Sequence, residues 1–147
     1  MKKVVFGQDE RVAKFVAQGI GPYESFSNFV AFGVEEDGEL IGGVVFNNFN
    51  ENSICGSIHG VGKNWLTREF LWYMFHYPFE KAKVGRITVV VENNNEMSHN
   101  IVQRLGFTHE ATLQKAGRFG DLHVYRMFRE ECKWLEVLHE YKNRKVE

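Results

Sequence analysis

Three segments of this 147-residue chain carry residues whose types and spacing suit chemistry. The first, Ile58-His-Gly-Val-Gly-Lys-Asn-Trp-Leu-Thr-Arg68, runs from a strand-like stretch through glycines into a helix start. Such a junction offers backbone N–H groups without partners at the positive end of a helix dipole, which suits a pyrophosphate. An ordinary glycine-containing turn has the same pattern. A phosphate-binding P-loop is excluded, because Gly62-Lys63 is followed by Asn64 instead of Ser or Thr, and the motif's first glycine falls on Ser57. The second segment, Val89 to Phe107, ends a strand in Asn93-Asn-Asn95 and sets Ser98 three residues later, on the same side of a helix start. A plain N-cap on a solvated face is the alternative. The third, Asp121 to Trp134, carries Tyr125 and Met127 in a strand-like run. His76, His99, His109, His123 and His139 are scattered without metal-ligand spacing, so no metal site is expected.

The elements that must position these residues follow from periodicity and turn chemistry. Val4 to Phe6 is a short strand, and Asp9 caps a helix with Val12, Phe15 and Val16 on one face, stopped by Gly19, Gly21 and Pro22. Phe29 to Val34, Leu40 to Phe46 and Ile54 to Val61 form an antiparallel meander, joined by the Glu35-Glu36-Asp37-Gly38 turn and the Asn47 to Asn52 stretch. Thr67 to Phe79 is a ring-rich helix buried on more than one side, and Pro78 ends or kinks it. Arg86 to Glu92 has the β-branched run of a central strand. A short helix opens at Asn95 or Glu96 and stops at Gly106. Strands around Thr108 to Lys115 and His123 to Arg129 flank a turn at Gly117 to Asp121, and Glu130 to Lys142 is an amphipathic helix. The order β-α-βββ-α-β-α-ββ-α implies an α/β (α+β) fold in one domain over residues 1–147. A mixed, mostly antiparallel central sheet carries helices on both faces.

Composition narrows the function classes. Hydrophobic residues at 44% and charged residues at 25% are those of a globular domain, with 13 Phe to fill its core. Lys+Arg 18 against Asp+Glu 19 leaves a net charge of -1, which argues against general nucleic-acid or anionic-membrane binding. The N-terminal run is too short for a signal peptide, and no apolar stretch reaches bilayer-spanning length, so the expected location is the cytoplasm. Cys55 and Cys132 read as reduced thiols.

Together the three segments resemble the GNAT superfamily of N-acyltransferases, particularly the branch that acetylates N-termini of ribosomal proteins. In that branch a strand ending V-x-x-x-N leads to N-x-x-S, a hydrophobic pair, L-G-F and x-x-E. Val91, Asn95, Ser98, Ile101, Leu105, Gly106, Phe107 and Glu110 stand in that register. Asp121, Tyr125 and Met127 match the late D-x-x-x-Y-x-M strand, while Tyr77-Pro-Phe79 and Arg86-Ile87 match a helix end and the next strand start. The compact chain also resembles bacteriophage-encoded members, for which the location would be the host cytoplasm.

The resemblance implies an acetyl-CoA-dependent enzyme that acetylates a primary amine, of a protein or small molecule, by direct attack. Gly60, Val61, Gly62, Lys63, Asn64, Trp65, Leu66, Thr67 and Arg68 would hold the pyrophosphate through backbone amides. The strand Ile58 to Gly62 would run beside the pantetheine arm, Asn95 would hydrogen-bond that arm, and Ser98 would sit near the thioester sulfur. Two departures stand out. The family's Gln/Arg-x-x-Gly-x-Gly/Ala loop is shorter here, with Trp65-Leu66-Thr67 in its second half. Val102 also occupies the position of a tyrosine that protonates the leaving thiolate in many relatives, so that role falls to Ser98, Tyr125 or water.

On this fold His59 is the expected base, a strand histidine facing solvent or packed in the core being the alternative. Glu92 and Glu110 are second choices, and an N–H around Val61 is the expected oxyanion donor. Cys55 is a packing residue, since no nucleophile is required. An aromatic rim of Tyr23, Phe26, Phe29 and Phe119, with Glu24 and Asp121 to attract a cationic amine, would border the acceptor site. A homodimer stays open. The competing class is a non-catalytic GNAT-like binding or assembly module whose cofactor loop has decayed.

Overall fold

A computed structural model describes residues 1–20 and 26–136. The first four strands are ordered by their turns. β1 (Lys2–Val5) leads to α1 (Asp9–Ile20), and β2 (Val30–Glu36) turns through Asp37 and Gly38 into β3 (Glu39–Asn47). Both turn residues have positive φ, 53° and 87°, as a two-residue hairpin turn requires. β4 (Ser53–Gly60) pairs antiparallel with β3, and Asn50 Oδ1 holds the intervening turn by accepting from the Asn52 and Ser53 amides.

α2 (Arg68–His76) is followed by a π-helical turn, Tyr77–Lys81, in place of one continuous helix to Phe79. The cause is Pro78, which has no N–H to continue the ladder. The Ala82 amide donates instead to the Tyr77 carbonyl, five residues back, at 2.8 Å. β5 (Arg86–Glu92), α3 (Glu96–Leu105), β6 (Thr108–Gly117) and β7 (Gly120–Phe128) complete the sequence. β7 starts three residues earlier than its hydrophobic pattern suggests, because the hairpin tip is tight and Asp121 Oδ1 accepts from the Lys115 amide at 2.9 Å. The expected C-terminal helix does not start at Glu130: Arg129–Glu131 is a 3₁₀ turn, Cys132 is extended, and helix is found at residues 134–136. Leu138 and Tyr141 lie outside the described residues, as do Gly21, Pro22, Tyr23 and Glu24.

The seven strands form one sheet in the order β1-β2-β3-β4-β5-β7-β6, with β4–β5 as its parallel pair and the other neighbours antiparallel. This is the mixed, mostly antiparallel sheet implied by the order of elements. α1 covers one face, packing Val12, Ala13 and Val16 on Ala31 and Val45. The larger core lies on the other face, where Phe70, Met74, Phe75 and Phe79 from the aromatic segment and Val102 and Leu105 from α3 meet Val44, Phe46, Ile54, Ile87, Val89 and Val91. The rings between Phe70 and Phe79 are thus core or flank it. No helix among the described residues is long and apolar enough to cross a membrane.

Candidate active site

The parallel β4–β5 ladder runs from Ser53↔Arg86 to Gly56↔Val89 and stops, although β4 continues to Gly60 and β5 to Glu92. A cavity of about 460 Å³ occupies the gap. Ser57 and Ile58 form its β4 wall and Val89 to Glu92 its β5 wall; Asn95 and Ser98 lie at the start of α3, and Arg118 and Leu122 reach in from the β6–β7 hairpin. Ile20 and Phe26 border it on the α1 side.

Backbone alternation decides which β4 amides face this gap. The Val61 amide donates to the Ile41 carbonyl at 2.8 Å, on the β3 side. Antiparallel hydrogen-bonded pairs alternate along a ladder, so Gly60 and Ile58, paired with Gly42 and Val44, turn their amides toward β5. The oxyanion donor expected around Val61 is therefore narrowed: the Val61 amide is occupied, and of the amides turned toward β5 that of Ile58 lies in the cavity lining. An amide-bearing chain fits this edge, since backbone groups that have lost their strand partner need one.

The start of α3 faces the cavity through two residues. Asn95 is the N-cap, its Oδ1 accepting from the Ser98 amide at 3.2 Å. Its side-chain NH₂ remains the donor available to a ligand. Ser98 is buried and lines the cavity, as the three-residue spacing requires.

The junction before α2 is built differently. Val61, Gly62, Lys63 and Asn64 form an exposed loop, and Gly62 has φ 75°. Trp65 leaves that surface altogether: its indole is 1% exposed and lies across the Gly42↔Gly60 pair. A Cβ on Gly60 would fall 1.9 Å from the ring, and one on Gly42 would fall 2.5 Å from it. The Trp65 side chain is thus a core plug, so only its backbone is left to the expected pyrophosphate loop. Leu66 packs against the same core. Thr67 caps α2, its Oγ1 accepting from the Phe70 amide at 3.1 Å, so the cap serves one amide of the first turn.

His59 shares the α1 face of β4 with Cys55 and Ser57 but does not itself line the cavity. Its ring sits on Gly19, where a Cβ would come within 1.9 Å of Nδ1, and its centroid is 5.0 Å from that of Phe15. Burial there holds the imidazole pKa below the usual 6.5, so the ring is neutral at pH 7.

Tyr125 is buried and lies outside the cavity lining. Its hydroxyl is 2.7 Å from His99 Nδ1, while His99 Nε2 is 3.0 Å from the Glu92 carbonyl. A carbonyl only accepts, so His99 carries its proton on Nε2, and Tyr125 donates to Nδ1. The expectation of a thiolate acid at Tyr125 is corrected accordingly: its proton points at His99.

The second-choice bases are structural. Glu92 accepts from the Arg118 and Phe119 amides at 3.1 and 3.3 Å and pins the hairpin tip. Glu110 bridges Arg86 at 2.8 Å and Arg126 at 3.3 Å, and Arg86 holds its carboxyl below the usual carboxylate range. Asp121 serves the hairpin through the Lys115 amide. Cys55 lines the cavity wall as a free thiol. Sequence reasoning missed the parts played by His99 and Arg118, because both depend on the return of β7 between β5 and β6.

No protein-family model matches the sequence, and comparison with curated proteins finds no match. Solved structures do match. The Salmonella typhimurium protein yncA, described with its cofactor acetyl-CoA, superposes with a TM-score of 0.69 at 16% identity, over 90% of this chain and 96% of its own. A chimera of the Vibrio cholerae spermidine N-acetyltransferase SpeG with hSSAT gives 0.69 at 19%, over 91% and 98%. A GNAT-family acetyltransferase from Streptococcus pneumoniae gives 0.66 at 13%, over 87% and 99%. What these similarities show is the fold: the mixed sheet with its parallel β4–β5 pair is built on the architecture of the GNAT acetyltransferases.

Proposed function

We propose that the chain is an N-acetyltransferase, one domain moving an acetyl group from acetyl-CoA to a primary amine by direct attack. The observation that carries this reading is the β4–β5 gap, with the Ile58 amide on one side and buried Ser98 on the other. Acetyl-CoA supplies the activated thioester. Ile58 N–H is the donor for the carbonyl oxygen as it gains charge. Ser98, at the positive end of α3, passes its hydroxyl proton to the leaving sulfur and takes one back from solvent water, while Tyr125 is engaged with His99. His59, neutral and on the Ser57 face, takes the amine proton through one water. The Asn95 NH₂ group and the loop Gly60–Arg68 bind the remainder of the cofactor, the loop by backbone amides with the Trp65 side chain turned away.

Thermal shift with acetyl-CoA tests the cofactor, and mass spectrometry of an extract incubated with labelled acetyl-CoA, with and without the protein, identifies the acceptor. A saturable rise in Tm and a labelled amine product are expected. His59→Gln should lower kcat/KM by about 10²–10⁴-fold. It should also abolish an acid limb that lies below pH 6.5, since a depressed imidazole pKa extends the neutral, active form to lower pH. One observation favours a non-catalytic binding module instead: Trp65 fills the junction where the GNAT motif has glycine. No Tm shift at millimolar acetyl-CoA would select that reading.

A further inference from the structure

Three histidines scattered in sequence gather on the α3 side of β6 and β7. In a regular strand His109 and Thr112, three residues apart, would point to opposite faces. The bulge at Glu110 inserts one residue between His109↔Tyr125 and Ala111↔Val124, and turns both onto the face of His123 and Tyr125. His109 Nε2 then lies 3.3 Å from His123 Nδ1, and Thr112 Oγ1 lies 3.2 Å from the first and 3.4 Å from the second. These edges make a nearly equilateral triangle of two nitrogens and one oxygen. They are long for direct hydrogen bonds, whose usual length is about 2.9–3.0 Å for nitrogen donors. They match the ligand–ligand edge of about 3.3 Å in a tetrahedron with metal–nitrogen bonds of about 2.0–2.1 Å.

A second observation points the same way. His123 Nε2 is 2.8 Å from Asn93 Oδ1. A carboxamide oxygen only accepts, so the His123 proton is on Nε2 and the Nδ1 lone pair is directed into the triangle. A ring nitrogen fixed by a carbonyl-type acceptor on its far side is the usual support of a metal-bound histidine. His99, with its centroid 5.1 Å from that of His123, does not compete, because both its nitrogens are engaged by Tyr125 and the Glu92 carbonyl. Among the described residues no three His, Cys, Asp or Glu groups converge on one ion, so a hydroxyl must supply the third ligand. The His109 and Thr112 side is exposed, which admits the ion and leaves its fourth position to water.

We propose that His109 Nε2, His123 Nδ1 and Thr112 Oγ1 bind a late first-row divalent cation, Zn²⁺ by the tetrahedral edge, at an open site of modest affinity. Binding requires His109 to carry its proton on Nδ1, freeing Nε2 as a donor of its lone pair. The ion would join β6 to β7 and, through Asn93, to the turn that carries Asn95. This inference stands apart from the acetyltransferase reading.

Titration calorimetry with Zn²⁺, on the full chain without a histidine tag, tests it. One ion per chain is expected, with affinity cut at least tenfold by His109→Ala and by His123→Ala, and about tenfold by Asn93→Ala, which removes only the support. The double variant His76→Ala/His139→Ala should bind as the parent does. Co²⁺ in place of Zn²⁺ should give tetrahedral visible bands that His123→Ala abolishes. Should a histidine variant fail to fold, Asn93→Ala and Thr112→Val carry the test at exposed positions. Absence of binding at millimolar Zn²⁺, or unchanged affinity in the folded variants, would overturn the assignment.

Discussion

Two strand–turn–helix junctions flank the β4–β5 gap, and they reach the same local geometry by different means. At each, a polar N-cap accepts from the amide three residues on: Thr67 from Phe70 before α2, and Asn95 from Ser98 before α3. Before α2 the chain anchors itself with an apolar plug, Trp65, whose indole needs the paired Gly42 and Gly60. Before α3 the anchors are polar: the Asn95 amide donates to the Glu92 carbonyl, and His99 reaches the same carbonyl and Tyr125. The plugged junction should therefore carry stability, and the polar junction should carry ligand contact. Mutations can separate the two.

The largest effect should come from the plug. Trp65→Ala removes a fully buried indole and should destabilise the protein by about 3–5 kcal/mol, read from urea unfolding. Gly60→Ala drives a methyl into the same ring and should also destabilise, by about 1–3 kcal/mol. The double variant should cost less than the sum, because the indole that the new methyl strikes is gone. A loss below about 1 kcal/mol for Trp65→Ala would remove the basis for contrasting the junctions.

How much of this could be read from the chain depended on whether the deciding contact was local. The run Val91 to Phe107 was legible because strand, cap, helix face and the Leu105-Gly106-Phe107 stop all lie within seventeen residues of one another, and each signal is short-range. The Asp37–Gly38 hairpin was legible for the same reason. The direction of Trp65 was not, since it is set by a gap between glycines on two strands, one of them more than twenty residues away. Tyr125 was misjudged because β7 returns between β5 and β6, which delivers its hydroxyl to His99. The histidine cluster was invisible because one extra residue at Glu110 reverses which face His109 occupies.

Ser98 is where the polar junction should show in chemistry. Ser98→Ala removes the hydroxyl assigned to the leaving sulfur and should lower kcat by about 10–100-fold, or about 1.4–2.7 kcal/mol of barrier. The methyl is tolerated in a buried, small-residue position, so urea unfolding should move by less than about 1 kcal/mol. Steady-state kinetics at saturating acetyl-CoA separates this from a binding effect. Unchanged kcat would assign proton delivery to water and reduce the α3 junction to a binding role.

The smallest effects give the sharpest comparison, because the two caps are chemically matched. Thr67→Ala and Asn95→Ala each delete one acceptor for one first-turn amide, and each should cost about 1 kcal/mol of stability. Their effects on acetyl-CoA should differ. The Thr67 side chain is engaged within its own helix end, and the amides of Arg68 and Glu69 persist after its removal, so KM should stay within about twofold. Asn95 lines the cavity and has an NH₂ group beyond the oxygen used for capping, so its loss should raise KM for acetyl-CoA by about 3–10-fold, the worth of one hydrogen bond. Asn95→Asp keeps the capping oxygen and discards the donor; it should restore stability without restoring KM. Equal KM changes for Thr67→Ala and Asn95→Ala would mean that both junctions grip the cofactor only through helix-end geometry, and that the difference in their anchoring has no counterpart in binding.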